Sequence, residues 1–377
     1  MPNLFFYESS DEWRVGFVNG VVGAISSGGD INQTNGQGCT ALHVAVRGHR
    51  SNVVKTLLSM NANASLRNSD GDTALRIAVL HGYHRIVRVF CEAGVDMTEE
   101  VHTSEDGSTL LVCAVEHAHL EVAELLIEHG LDPSIKHSGV SMLHMAARND
   151  TDVRILKLLL ENEVNVDSKT DMQDTALKLA SRNGNLCGMT LLLKWGADVN
   201  MKDRGGNTPL HFSVISGYPE TIQLLLDCGA DIRAKNKSGV SVLHCASVAV
   251  STSIATLICN GANLEERDQD MRTPFLSAVD VRNDAAVRLL MNADADVTVV
   301  DMDGNSAIHF AARDGDIQLV NKLIHLGVPV NRDNLYGQNP LRLAISAEGP
   351  STDGGIVDHQ ACETVILLAG GNQQVEG

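Results

Sequence analysis

The sequence predicts an all-α protein, a solenoid of helix-turn-helix units stacked in a row. Three observations predict it. A short block recurs at a nearly fixed period, a glycine marker recurs in phase with it, and the composition suits short packed helices. The block Thr40-Ala-Leu-His43 returns as Thr73-Ala-Leu-Arg76, Thr175-Ala-Leu-Lys178, Thr208-Pro-Leu-His211 and Ser241-Val-Leu-His244, with further variants between and beyond. The residue two before each block is Gly38, Gly71, Gly107, Gly139, Gln173, Gly206, Gly239, Met271, Gly304 and Gly337. Their spacings are 33, 36, 32, 34, 33, 33, 32, 33 and 33. A period in this range is the sequence signature of a repeat array.

Composition bounds the rest. A chain of 377 residues would ordinarily fold as two or three domains unless it is built from repeats. Aromatic residues make up 3% and the hydrophobic total is 44%, so the core must be Leu, Val, Ala and Ile. The net charge of −18 repels phosphate backbones and anionic lipid. Nucleic-acid binding and membrane insertion are therefore not expected. The eight cysteines form no CxxC pair, and several sit in apolar runs such as Leu-Leu-Val-Cys113 and Leu-Ile-Cys259. They read as small buried hydrophobes in a reducing compartment. No run is long enough for a signal-peptide core or a membrane span, so a cytoplasmic protein is expected.

Each unit has the same grammar. Thr or Ser opens a first helix as its N-cap, and Pro209, Pro274 and Pro340 follow at the first helical position. A turn comes at Gly82, Gly184, Gly217 or Gly315. A second helix then ends at a marker: Gly28, Asn61, Gly94, Gly130, Glu163, Gly196, Gly229, Gly261, Asp294, Gly327 or Gly370. Gly, Asn and Asp tolerate the positive φ that ends a helix. Glu163 breaks the rule and predicts a differently shaped turn. Helices of about eight to ten residues are marginal alone in water. Each must bury its apolar side against the next unit.

These units resemble ankyrin repeats. The signatures are Gly-x-Thr-Pro-Leu-His and Leu-Leu-x-x-Gly-Ala-Asp-Val-Asn, and residues 206–236 come nearest to the family pattern. The resemblance covers residues 38–370 as ten units. Residues 1–37 form an N-terminal segment with a degenerate capping repeat, and 371–377 form a tail. The resemblance implies β-hairpin loops projecting from the helices. It also implies a structural role for His43, His144, His211, His244 and His309, each tying a hairpin to a first helix.

Two places depart from the period. Three extra residues fall in 95–106, which the resemblance places in a projecting hairpin. Glu99, Glu100 and Glu105 make this an acidic finger, either a partner contact or a tolerated loop variation. Ten extra residues fall near 348–357 in the last unit, either a mobile polar loop or a docking element.

A search for chemistry finds none. Among fifteen histidines, His117-Ala-His119 is the one tight pair, and no Cys or carboxylate set completes a metal site. No phosphate loop, dinucleotide fingerprint or nucleophile elbow occurs. The expectation is no enzyme, no cofactor and no metal.

The resemblance implies a non-catalytic protein-protein interaction module, a scaffold, adaptor or substrate receptor. Its partners would be proteins or peptides held by the hairpin tips and a concave groove lined by the first helices. Nine residues past the repeat start, Arg148 and Arg182 fall in adjacent units beside Asn149 and Asn183, and Ile215 and Val248 follow. A partner with an acidic residue next to an apolar anchor would suit this strip; ordinary groove-lining positions are the alternative. Asn200 and Asn331 lie eight residues after Leu192 and Leu323 and resemble sites of an asparaginyl hydroxylase. The rival reading is a regulatory ankyrin segment of a larger enzyme, channel or ubiquitin ligase receptor.

Overall fold

In most repeats the first helix begins where Thr or Ser turns its hydroxyl onto the first free amides; Asn339 serves in the last. Thr40 takes extended dihedrals (φ −82°, ψ 169°) and its side chain accepts from the His43 amide. Thr73, Thr109, Thr175, Ser241 and Thr273 cap the same way. Such a cap is worth about 1 kcal/mol, and a helix of two turns depends on it. The computed structural model describes residues 23, 28–97, 109–148, 153–249, 253–346 and 359–370. The chain divides into two compact units, Met1–Asp171 and Met172–Gly377.

In the first unit the helices come in pairs: α1 (Ala41–Arg47) and α2 (Ser51–Ser59), α3 (Ala74–Leu80) and α4 (His84–Glu92), α5 (Leu110–Glu116) and α6 (Leu120–Glu128). Strands β1 (Lys136–His137) and β2 (Val140–Ser141) lead into α7 (Met142–Ala147) and α8 (Arg154–Glu161). First helices pack on first helices, α1 on α3, α3 on α5 and α5 on α7. Second helices follow in parallel, α2 on α4, α4 on α6 and α6 on α8.

The second unit repeats the plan. Its first helices are α9 (Ala176–Asn183), α11 (Pro209–Ser216), α13 (Val242–Val248), α15 (Pro274–Asp280), α17 (Ala307–Arg313) and α19 (Pro340–Ser346). Its second helices are α10 (Leu186–Lys194), α12 (Pro219–Asp227), α14 (Ser253–Cys259), α16 (Asp284–Asn292), α18 (Ile317–His325) and α20 (His359–Leu368). Each first helix packs on the next along the row from α9 to α19. Within each unit this is an all-α repeat stack, as the period predicts.

The core is a ladder built from one position. The third residue of every block is buried: Leu42, Leu75, Leu111 and Leu143 in the first unit, and Leu177, Leu210, Leu243, Phe275, Ile308 and Leu341 in the second. Burying one such side chain contributes about 1.5–3 kcal/mol, and its contacts come from the adjoining repeat as well as its own.

Hairpins are short. β1 and β2 pair antiparallel, Lys136 with Ser141 and His137 with Val140. Elsewhere a single bridge suffices, as at Arg67 with Thr73, Lys235 with Ser241 and Val300 with Ser306. An Asn or Asp three residues before the repeat start locks seven of these tips: Asn35, Asn68, Asp203, Asn236, Asp268, Asp301 and Asn334. The Asn236 carboxamide oxygen accepts the amides of Ser238 (2.9 Å) and Val240 (3.1 Å), an Asx turn that Asp301 reproduces with Asp303 and Asn305.

Three expectations need correction. Glu163 makes no differently shaped turn, for its φ of 61° is the left-handed conformation of the other markers. Its amide and that of Val164 bond to the carbonyls of Leu160 and Leu159, and burial of Val164 helps offset the strain. Likewise His49, Ala118 and Arg282 take positive φ at the turn where other repeats place Gly. Most first helices are shorter than eight to ten residues; α1, for instance, has seven, while α9 and α11 reach eight. An N-cap at one end and the left-handed turn at the other leave no room for more. The cysteines divide: Cys39, Cys113, Cys245 and Cys362 are buried, but Cys259, at the end of α14, is exposed, as are Cys187 and Cys228. Burial pushes the Cys245 thiol up to about 11. Among the described residues no helix is long and apolar enough to cross a membrane.

Candidate functional site

The histidines of the block are bound into the scaffold. The amides of Thr40, Thr208, Ser241 and Ser306 donate to Nδ1 of His43, His211, His244 and His309 at 3.2, 3.2, 3.2 and 3.1 Å. A nitrogen that accepts carries no proton, so Nε2 carries it. It donates to the carbonyls of Asp72, Val240, Arg272 and Arg332 at 3.1, 3.3, 2.9 and 2.9 Å. Each imidazole therefore closes its own N-cap and ties that helix to the hairpin segment of the following repeat. Burial holds all four below the ordinary histidine value, and the carbonyl contact opposes it less strongly. His144 sits on the same position, its Nδ1 2.6 Å from the Ser141 hydroxyl.

Three repeats replace this histidine by a cation, Arg76, Lys178 and Arg342, and the first two are buried against acids. Lys178 in α9 is buried between the carboxylates of Asp174 and Asp203, with Asp203 Oδ2 at 2.6 Å. Its ammonium also lies 4.2 Å from the centroid of the Phe212 ring. Burial alone would push Asp203 up, but the Lys178 ammonium and the Asn207 amide outweigh it and hold the carboxyl low. Arg76 in the first unit is buried similarly against Asp72 at 3.0 Å. A cation in place of His, with an acid four residues back, is the signal that finds both pairs.

The predicted strip is distributed as follows. Arg148 caps α7 in the first unit and is exposed; Asn149 lies outside the described residues. In the second unit Arg182 and Asn183 are exposed at the end of α9. The Ser216 hydroxyl donates to the Arg182 carbonyl at 2.7 Å, which sets Arg182 beside the end of α11. Ile215 and Val248 stand 52% and 49% exposed on the packed helices α11 and α13. Their neighbours Val214 and Leu243 are buried. Farther along, Asp280 is held by Arg272 at 2.9 Å and Arg313 at 3.1 Å, and both guanidinium groups lie over Phe310. The structure thus brings together Arg182, Ile215 and Val248 and ends their run in a self-paired charge network that sequence reasoning missed.

Glu99, Glu100 and Glu105 lie outside the described residues, as do 348–357 and 371–377. Asn200 and Asn331 act as inter-repeat fasteners. Asn200 donates to the Gly229 carbonyl at 3.2 Å and accepts from the Asp231 amide at 2.8 Å; Asn331 donates to the Gly370 carbonyl at 2.7 Å. Among the described residues, no group of three or more His, Cys, Asp and Glu is placed to hold a metal ion.

A second ladder was also missed. Lys202, Lys235 and Arg267, four residues before consecutive repeat starts, donate to the carbonyls of Lys235, Arg267 and Val300 at 3.1, 2.9 and 3.1 Å. Cations at that period were its sequence signal.

Comparison with known proteins agrees with this geometry. The family described as "Ankyrin repeats (3 copies)" matches residues 16–101, 143–236, 177–268, 210–301 and 275–354, and "Ankyrin repeats (many copies)" matches 111–160. Neurogenic locus notch homolog protein 1 of Homo sapiens is 30% identical over 151 residues, 40% of this chain and 6% of that protein. The Danio rerio protein of the same name is 32% identical over 151 residues, 39% of this chain and 6% of its own length. Transient receptor potential cation channel subfamily A member 1 of Homo sapiens is 35% identical over 167 residues, 44% of this chain and 14% of that protein. The match thus spans a small fraction of these relatives. Ankyrin repeats are protein-interaction modules and generally lack catalytic activity. With family matches running through most of its length, the chain belongs to the ankyrin-repeat family.

Proposed function

We propose that residues 38–370 act as one non-catalytic binding module, a cytoplasmic scaffold, adaptor or substrate receptor that grips a protein partner. Residues 1–37 supply its capping repeat and 371–377 a tail. The observation that carries this reading is the half-exposure of Ile215 and Val248 on consecutive first helices, where Leu210, Val214, Val242 and Leu243 are buried. Exposed aliphatic side chains beside Arg182 suit a partner with an acidic residue next to an apolar anchor. Arg148 with Asn149, and Asn183 beside Arg182, add polar contacts, and the acidic finger with Glu99, Glu100 and Glu105 a further one.

The test is affinity capture on the full chain, wild type against Ile215→Asp/Val248→Asp and Arg148→Glu/Arg182→Glu. Partners should be lost from both variants with no fall in melting temperature. Unchanged capture by both would refute the reading. Hydroxylation of Asn200 and Asn331 is part of the same proposal; each would have to leave its inter-repeat hydrogen bonds to be modified. Mass spectrometry of native protein should show one added oxygen, and its absence at both removes this element.

A second reading is favoured by the channel relative, of which the match spans 14%. On it, the array is the regulatory segment of a larger enzyme, channel or ubiquitin ligase receptor. The full-length transcript separates the two readings.

A further inference from the structure

The hairpin tips of the second unit change character along the row. The residues just before successive repeat starts are Arg204-Gly205, Lys237-Ser238, Gln269-Asp270, Met302-Asp303 and Leu335-Tyr336. The first three tips are polar and the last two carry large apolar groups. Met302 is 55% exposed, Leu335 77% and Tyr336 69%, with Met271 exposed beside them. Side chains this open contribute little to the core. The turn does not demand them either, since polar residues serve at most equivalent positions of earlier repeats, Met172 excepted.

The four side chains belong to one strip because the tips are joined backbone to backbone. The Met302 amide donates to the Asp270 carbonyl and the Leu335 amide to the Asp303 carbonyl, both at 2.8 Å. The Tyr336 hydroxyl donates to Asp303 Oδ1 at 3.1 Å across the same two tips. The turns beneath are locked by Asp301 and Asn334, whose side-chain oxygens accept the amides of Asp303 and Tyr336. Little freedom remains to be lost when a partner binds.

The charge around the strip has a sign. Asp270 and Asp303 lie within it, and Asp333 and Arg332 beside it offset one another. Nearby cations are engaged: Arg267 donates to the carbonyls of Met271 and Val300, and Arg272 pairs with Asp280 and Asp301. Residues 262–346 carry 13 Asp and Glu against 8 Lys and Arg. Tyrosine and methionine are residue types enriched at interface centres, and an acidic surround selects a basic partner by complementarity.

We propose that Met271, Met302, Leu335 and Tyr336 form a second docking strip, distinct from Ile215 and Val248. Its occupant is a segment of another protein carrying an aliphatic or aromatic anchor flanked by arginine or lysine. The inference rests on the reading of the chain as a binding module and names a partner chemistry for the far end of the row.

The experiment is peptide display against the full chain, using a random 16-residue library, followed by binding of the selected peptides to two variants. Leu335→Ser/Tyr336→Ser alters exposed tips alone, and circular dichroism confirms that it folds. Selected peptides should place Lys or Arg beside a large apolar residue, and the tip variant should bind them at least tenfold more weakly. Ile215→Asp/Val248→Asp should bind them unchanged. Peptides of acidic or uncharged character, or binding that survives the tip variant, overturn the proposal. Peptides lost only with Ile215→Asp/Val248→Asp overturn it too, while leaving the function reading intact. Failure to select any peptide counts against both. A homodimer in light scattering that the tip variant dissolves would show a second copy on the strip, and would also overturn it.

Discussion

Lowering the pH from about 7.5 to about 5.5 perturbs the chain at the imidazoles that close its N-caps. His43, His211, His244 and His309 are held neutral, because burial penalises the charged ring and Nδ1 already accepts an amide hydrogen. The unfolded chain takes up a proton at each near the ordinary value of 6.5, whereas the folded chain resists until lower pH. Their contribution is therefore complete above about 6.5 and is lost as pH falls toward the folded value. Within that window each costs up to about 1.4 kcal/mol per pH unit. The three in the second unit sum to about 4 kcal/mol per unit at most, a large share of a stability of 5–15 kcal/mol. Asp132, Asp203 and Asp296 are lowered carboxylates, whose contribution holds above the ordinary value of 3.8 and fades below it, outside this window. Urea denaturation at several pH values reads the slope directly. His244→Gln keeps an acceptor for the Ser241 amide and a donor for the Arg272 carbonyl, and should lower the slope by about one proton. Stability that stays flat or rises on acidification, or an unchanged slope in the variant, would refute the wiring.

Other expectations follow from single contacts. Lys178→Ala leaves Asp174 and Asp203 facing each other in a buried site and should cost about 3–5 kcal/mol in urea denaturation. Adding Asp174→Asn and Asp203→Asn should recover part of it. Gly206→Ala should destabilise by more than about 2 kcal/mol, because φ is +84° and the new Cβ would lie 2.8 Å from the Lys237 amide nitrogen. Glu163→Gly should act in the opposite direction, stabilising by about 1 kcal/mol through relief of its left-handed backbone. A shift in the thermal midpoint checks the sign of each.

The fold was legible because its determinants are local and repeated. A Thr or Ser cap, a buried Leu and a left-handed turn recur near the same intervals, so one repeat explains the next. The misreadings lie where tertiary bonds override residue preference. His49, Ala118, Glu163 and Arg282 adopt a glycine conformation since the hydrogen bonds around each turn require it. The groove residues could be counted from the repeat start, and Ile215 and Val248 are exposed as that count implies. What the count could not supply is pairing between repeats. Asp280 and Arg313 occupy the same register as Ile215, yet they hold each other one period apart, across adjacent repeats. The apolar tips at Met302 and Leu335 escaped notice because single hydrophobic residues in loops carry no signal until neighbouring tips are seen joined.

Amide hydrogen exchange on the full chain, free and bound to a partner captured by the wild type but not by Ile215→Asp/Val248→Asp, tests the binding account most directly. It predicts slowed exchange in α9, α11 and α13 and in the adjoining hairpin tips. Slowing confined to α10, α12 and α14, on the helices behind the first row, would contradict it.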